Sequence, residues 1–452
     1  MMTLPRILKS AENILFYYIE SEGTKSNKKL KSGYLFWAFM LIYIILSLKR
    51  RRQMMISVDE AIKKVMEKIS PTGETEEVDL MEATGRVLAE DICSDIDISP
   101  FDKSAMDGYA VIAEECPGEF EIIEVIPAGH TPQKEVISGA VSKIMTGAPV
   151  PKGADSVVMV EKTEETGKDR VKILTDSRKG KNIIQKGEDV KAGDPVLRKG
   201  TYLSPGEIAS LATVGRKMVR VFRRVKAAVL ATGTELVEPT EFPLFGKIRN
   251  SNSYSLSSQT LTAGAVPNYL GIASDREEEL KEMMKKGLDY DMFLISGGVS
   301  VGDFDFVPKI LRELGVDIVF HNVRMKPGKP LIFGLSGRTA VFGMPGNPVS
   351  TLVAFELFVR PAIYRMSGRE VDSELFFSSV LAKDYKRKRG EREQFVPVRL
   401  FFENRTVKCE PVKYHGSAHI LSLPHANGLM RIPVGVLTMS KGEECQVRWL
   451  FH

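Results

Sequence analysis

Four turns between positions 225 and 350 carry the residue types that anion chemistry needs. They are Ala231-Thr232-Gly233-Thr234-Glu235, Ser296-Gly297-Gly298-Val299-Ser300 with Gly302-Asp303-Phe304-Asp305 behind it, Lys326-Pro327-Gly328-Lys329-Pro330, and Pro345-Gly346-Asn347-Pro348-Val349-Ser350. Short β-prone apolar runs lead into them, AAVL and DMFLI into the first two and TAVFGM into the last. Glycine removes the Cβ, so backbone N–H groups can approach a phosphate or another oxyanion. A helix expected over about 306–314 would add its positive N-terminal end. Any one such turn is an ordinary strand-to-helix loop; four in succession read as the anion-binding mouth of an open parallel α/β sheet.

The chemistry is not that of a dinucleotide or Walker-type site, because neither G-x-G-x-x-G after a strand nor G-x-x-x-x-G-K-[ST] occurs. Lys326 and Lys329 place two ammonium groups on a segment stiffened by two prolines, which suits a polyanion. Asn347 reads as an N-cap and Pro348 as the first residue of the helix TLVAFELFVRPAIYRM.

Taken with PFDKSAMDGYAV (100–111), IMTGAPVP (144–151), GEDV (187–190) and SPGEIASLATVG (204–215), these turns make the chain resemble the MoeA and gephyrin E-domain group, the molybdopterin molybdenumtransferases. The resemblance covers almost all of 56–452. It implies the last step of molybdenum cofactor biosynthesis: an adenylylated molybdopterin is bound, its phosphoanhydride is hydrolysed with release of AMP, and molybdate enters the dithiolene. The terminal phosphate and pyrophosphate of that substrate would need the N–H cradles and lysines, and the hydrolysis a divalent cation, normally Mg²⁺, held by carboxylates with several waters retained. Motif by motif, the resemblance points to Asp107, Asp189, Glu207, Lys326 and Lys329 as catalytic groups. It points to Thr146, Thr232, Gly233, Ser296, Gly297, Gly298, Ser300, Pro345, Gly346, Asn347 and Ser350 around the pterin substrate, and to Glu235, Asp275, Asp303 and Asp305 for the metal.

Some of these residues have a purely structural reading beside the functional one. Ser274 with Glu277 forms a capping-box pattern that would make Asp275 a first-turn acid, and Asp303 and Asp305 would equally suit a helix start. Many members of the family carry an acid or amide where this chain has Thr234, which leaves Glu235 as the acid of that turn. Molybdate and tungstate are both tetrahedral dianions, so the residues do not choose between them.

At 452 residues, 43% hydrophobic and 27% charged, the chain can bury several cores. The net charge of +5 forms no basic stripe, so no nucleic-acid partner is indicated, and Lys386-Arg387-Lys388-Arg389 reads as an exposed hairpin tip. Cys93, Cys116, Cys409 and Cys445 lack C-x-x-C spacing, which suggests free thiols in a reducing, cytoplasmic setting. The apolar run 34–48 is followed by Lys49-Arg50-Arg51-Arg52; at this length it is short of a span, and the extension 1–53 reads as an over-extended start rather than a membrane anchor.

The expected fold class is multi-domain, α/β plus β. A helix/strand linking domain (54–102 and 196–224) encloses an inserted β-rich domain (103–195); an open α/β molybdopterin-binding domain (225–370) and a small C-terminal β-barrel (371–452) follow. The resemblance further implies a homodimer, with the cleft between the α/β domain of one subunit and the inserted and linking regions of the other, and a molybdopterin adenylyltransferase as partner. Two other readings are a molybdopterin adenylyltransferase, against which SGGVS stands where that family has a TGGTG-like turn, and a non-catalytic scaffold of the gephyrin kind.

Overall fold

The computed structural model describes residues 55–299, 306–369, 376–413 and 415–450. It forms two compact units, one of residues 71–224 with 367–370 and the other of the rest.

The larger unit is built on a six-stranded sheet. Its strands are β1 (Lys226–Thr232), β2 (Val266–Ala273), β3 (Met292–Ser296), β4 (Asp317–Asn322), β5 (Pro330–Ser336) and β6 (Thr339–Met344), in spatial order β2-β1-β3-β6-β5-β4. The first four positions in that order are parallel, and β5 and β4 finish the sheet antiparallel. The inner strands are buried on both faces, which is why KAAVLAT and MFLIS read as unbroken apolar runs. Alternate residues feed two cores: Ala227, Val229, Met292 and Leu294 face one, Ala228, Leu230, Phe293 and Ile295 the other.

Helix α1 (Val58–Lys68) is capped by Ser57, whose hydroxyl accepts the Glu60 N–H, and buries Val58, Ala61 and Val65 in the first of these cores. The sequence groups this helix with the linking region; the structure separates them at Ser70, because its apolar stripe is spent on the α/β core. Helices α2 (Asn252–Thr262), α3 (Glu277–Gly287), α4 (Val307–Glu313) and α5 (Pro348–Ala354) connect or follow the strands. A π-helical turn, Phe355–Val359, carries α5 on into Arg360–Met366.

The same unit ends in a barrel closed by five strands. Glu393–Glu403 pairs with Thr406–Pro411, then follow Phe377–Leu381, Glu444–Trp449 and Gly428–Ile432, which returns to Glu393–Glu403. Met325–Lys326 of the α/β domain runs beside Glu393 and Gln394, so the lysine turn is held by the barrel as well as by the sheet. Lys386-Arg387-Lys388-Arg389 is not simply a solvated tip: the Arg387 guanidinium donates to the carbonyls of Arg392, Pro433 and Val436 and ties the turn together.

In the smaller unit Thr75–Asp79 pairs antiparallel with Met218–Phe222, and Ile92–Cys93 with Pro195–Leu197, around a core that includes Leu88, Leu203 and Leu211. The segment between these two halves folds into its own six-stranded sheet, in the order Ser156–Met159, Gly108–Val111, Ala140–Ile144, Gly118–Ile126, Arg170–Ile173, Thr163–Gly167. Among the described residues no helix is long and apolar enough to cross a membrane. The run 34–48 lies outside the described residues.

Candidate functional site

From β1 the chain crosses through α2 to β2 on one side, then through α3 to β3 on the other, so the direction of winding reverses between β1 and β3. A crevice at the carboxyl ends of the strands is expected at such a point. There the structure has a cavity of ≈ 600 Å³, the size of a small-molecule site. Its floor is Thr232 and Gly233 after β1, Ser296, Gly297, Gly298 and Val299 after β3, and Gly346 and Asn347 after β6.

Close backbone approach forces glycine at the centre. A Cβ on Gly297 would stand 2.3 Å from the Thr232 carbonyl oxygen, and Gly297 and Gly298 have φ of +98° and +63°. Gly346 lies against Gly297 at 3.9 Å by the same construction, and Gly328 of the lysine turn would meet the Ser350 carbonyl oxygen at 3.5 Å and Pro345 at 3.8 Å. Three of the four turns thus meet at the cavity floor, and the fourth packs on the last of them.

Asn252, at the start of α2, joins two of these turns. Its Nδ2 donates to Ser296 Oγ (2.9 Å) and to the Gly346 carbonyl (2.7 Å). Its Oδ1 and the Oγ1 of Thr232 are buried in the same wall without a protein hydrogen-bond partner. Buried polar atoms without a partner are costly, so these two are poised for a ligand or water. Glu235 and Asp275 also line the cavity. Asp275 Oδ2 accepts from the Thr234 N–H (2.9 Å) and hydroxyl (2.6 Å), which fixes the acid beside Glu235.

A second group of predicted residues assembles in the smaller unit. Asp107 Oδ1 accepts both the N–H and the hydroxyl of Thr146 at 2.7 Å. The Thr146 hydroxyl, and then its N–H, holds the exposed Asp107 carboxyl below its ordinary pKa. The GEDV turn docks on the segment just before Pro100, with the Gly187 N–H on the Ser99 carbonyl and the Asp189 N–H on the Ile98 carbonyl.

Residues 56–215 match the MoeA N-terminal region (domain I and II), 228–365 the probable molybdopterin binding domain and 379–450 the MoeA C-terminal region (domain IV). The molybdopterin molybdenumtransferase of Bacillus subtilis (strain 168) is 39% identical over 406 residues, covering 87% of this chain and 93% of that one. The chain belongs to the MoeA family. The molybdopterin molybdenumtransferase of Nostoc sp. (strain PCC 7120) is 36% identical over 398 residues, 85% of this chain and 91% of its own. The crystal structure of the molybdopterin biosynthesis moeA protein from Pyrococcus horikoshii OT3 superposes with a TM-score of 0.75 at 34% identity, covering 88% of this chain and all of that one.

In this MoeA chain the expected residues fall into three groups. Thr232, Gly233, Glu235, Asp275, Ser296, Gly297, Gly298, Gly346 and Asn347 line the cavity. Lys326 and Lys329 are exposed and do not line it, although Pro330, which follows them, does. Pro345 and Ser350 are buried beneath the floor: Pro345 offers its carbonyl to the Thr351 hydroxyl, and Ser350 is 3% exposed inside α5. Ser300, Asp303 and Asp305 lie outside the described residues. Asp107, Asp189 and Glu207 belong to the other unit, as does Thr146.

Two local readings change. The capping box expected from Ser274 and Glu277 does not form, because α3 begins at Glu277 and the Ser274 hydroxyl donates to Glu279 (2.6 Å), while Glu277 takes Lys309. Asp275 is therefore a loop residue of the cavity rather than a first-turn acid. Conversely, Glu207 is engaged in a capping box: it accepts from the Ser204 N–H and hydroxyl at the start of Pro205–Thr213. Asn347 does occupy the N-cap position of α5, yet its side chain makes no capping bond and stays available to the cavity.

Sequence reasoning missed Asn252, and with it Arg249, Asn250 and Ser251 of the cavity wall. The polar run RNSNS just before a helix was the available signal. Among the described residues no three or more His, Cys, Asp or Glu side chains converge as a metal cluster.

Proposed function

We propose that this MoeA-family enzyme performs the final step of molybdenum cofactor biosynthesis, binding adenylylated molybdopterin, releasing AMP and inserting molybdate, or tungstate, into the dithiolene. The observation that carries the proposal is the cavity floor at the reversal between β1 and β3, with glycine turns and two unpartnered buried oxygens, Thr232 Oγ1 and Asn252 Oδ1. Such a surface binds phosphate oxygens through backbone N–H groups and orients the rest of the substrate.

The residues present fit Mg²⁺, since Glu235, Asp275 and the free Asn252 Oδ1 are hard oxygen donors of the kind that hold it through one or two carboxylates plus substrate phosphate. Bound there, it would neutralise phosphate charge and polarise the phosphoanhydride. The chain's own part is to seat the phosphates at the Gly298 N–H, the Gly297 N–H being donated to the Met344 carbonyl, and to present Lys326 and Lys329 from the turn packed on the α5 entry to the developing negative charge. Asp107, held as a carboxylate by Thr146, is the proposed acid of the inserted region, with Asp189 on the adjoining GEDV turn and Glu207 in a supporting, helix-capping place. The proposal includes a cytoplasmic homodimer supplied by a molybdopterin adenylyltransferase.

Purified protein given adenylylated molybdopterin and Mg²⁺ should release AMP only when molybdate or tungstate is present. Lys326→Ala and Asp107→Ala should each lower that rate at least tenfold with an unchanged circular dichroism spectrum. AMP release indifferent to the oxyanion, or full rates in both variants, would refute the reading.

A further inference from the structure

Between two cavity-lining segments the chain makes an excursion, 238–247, whose sequence is Glu238-Pro239-Thr240-Glu241-Phe242-Pro243-Leu244-Phe245-Gly246-Lys247. Its base is rigid. Leu236–Val237 pairs in parallel with Ile248–Arg249, and Leu236, Ile248 and Arg249 all line the cavity. Glu238 accepts the hydroxyls of Tyr254 (3.0 Å) and Tyr269 (2.6 Å), and the Lys247 ammonium donates to the carbonyl of Thr234, which follows the cavity-lining Gly233. Arg249 Nε reaches up to the Glu241 carbonyl at 3.1 Å, which ties a cavity-lining residue to the position next to Phe242.

On this fixed base stand three large apolar side chains that the loop does not cover. Phe242 is 83% exposed, Leu244 74%, and Phe245 fully. Single exposed apolar residues are common, but three within four positions on an anchored loop mark a contact surface. Among the described residues the cavity wall holds no aromatic side chain, only glycine, proline, aliphatic, polar and charged ones. Those residues are furnished for phosphates, while two exposed aromatic faces, Phe242 and Phe245, stand on the loop that the cavity's own walls carry.

We propose that Phe242 and Phe245 form a stacking platform for a planar heteroaromatic ring of the substrate, the adenine or the pterin, whose phosphates lie on the glycine floor. This rests on the substrate assigned above. Both rings present the same π-face chemistry, and an aromatic side chain at a rim adds affinity by stacking without needing a ring-specific hydrogen bond. They act as positioning residues. Their loss should weaken ring-bearing ligands while leaving the phosphate floor intact.

The test compares the intact protein with Phe242→Ala/Phe245→Ala, measuring dissociation constants for AMP, molybdopterin and pyrophosphate by calorimetry, and KM and kcat for adenylylated molybdopterin. The double variant should bind AMP or molybdopterin about 5- to 150-fold more weakly, the range set by the stacking of one base on an aromatic side chain. Pyrophosphate affinity and kcat should hold. A loss confined to AMP assigns the platform to adenine, and one confined to molybdopterin assigns it to the pterin. Phe242→Tyr/Phe245→Tyr should restore binding and Phe242→Leu/Phe245→Leu should not, which separates stacking from mere apolar bulk. Unchanged affinities in the alanine variant, with binding by the unaltered protein, overturn the platform alone; the same result with an altered sedimentation coefficient would make the loop a contact between copies of the chain. Failure of the unaltered protein to bind either AMP or molybdopterin overturns the platform together with the substrate assignment.

Discussion

Asn252 shows how much of the cavity depends on one amide. Two donors of the same side chain hold Ser296 and Gly346, and the acceptor is left buried without a protein partner. Asn252→Ala removes both bonds, each worth about 1 kcal/mol, so KM for the pterin substrate should rise by about tenfold or more, read from initial rates. At Asp107 the prediction concerns pH. Its folded-state pKa is depressed, so the Thr146 contact contributes above the ordinary carboxylate value and is lost as pH falls through the lowered one. Thr146→Val deletes the larger of the two hydrogen bonds and should bring the Asp107 titration back up toward about pH 4. Carboxyl ¹³C NMR would follow this directly, and the acid limb of the rate profile should move up with it. Of the residue-level expectations, the glycines were legible because turn chemistry limits which residues can stand there, whereas Asp275 came from the family resemblance and read equally as a first-turn acid. Asn252 was not, since an asparagine beside two serines at a helix start reads equally well as capping.

At the scale of the element, the turn after β3 does the most with the least. Gly297 and Gly298 bring the end of β3 against the end of β1, and no side chain fits between Gly297 and the Thr232 carbonyl. Gly297→Ala must bear both a left-handed φ and that clash. The backbone conformation alone costs about 1–3 kcal/mol, so the urea midpoint should fall and AMP affinity with it. Some elements were apparent in the sequence, β1, β3 and β6 as short apolar runs leading into the turns. The start of α3 was not, because Ser-Asp-Arg-Glu-Glu-Glu offers more than one acceptor for the serine, and only the fold shows Lys309 drawing Glu277 away.

In the larger unit as a whole, the barrel and the α/β domain share a buried charge. Glu356, within the π-helical turn and 0% exposed, accepts Arg360 Nε at 2.8 Å and Gln259 Nε2 at 2.9 Å, and its carbonyl takes Arg448 Nη1 from the barrel strand Glu444–Trp449. Removing the carboxylate strands two buried guanidinium groups. Glu356→Leu should therefore destabilise the unit by about 3–5 kcal/mol, seen as a large drop in its urea midpoint, and Glu356→Gln, which keeps the hydrogen-bonding shape, by less. A glutamate four residues before an arginine looks in sequence like any surface helix pair, so its burial was not readable there.

What the sequence alone determined was the family, through several long motifs in one order, and the four glycine-bearing turns, which rest on a local rule, the few residue types a tight turn tolerates, operating over a handful of neighbours. The tertiary structure decided which candidates share one wall. It put Thr232, Asp275, Ser296 and Asn347 around a single cavity, buried Ser350 beneath it, left Lys326 and Lys329 exposed beside it, and assigned α1 to the α/β core. Those outcomes follow from strand order and packing between segments more than a hundred residues apart, and no spacing within one segment encodes them.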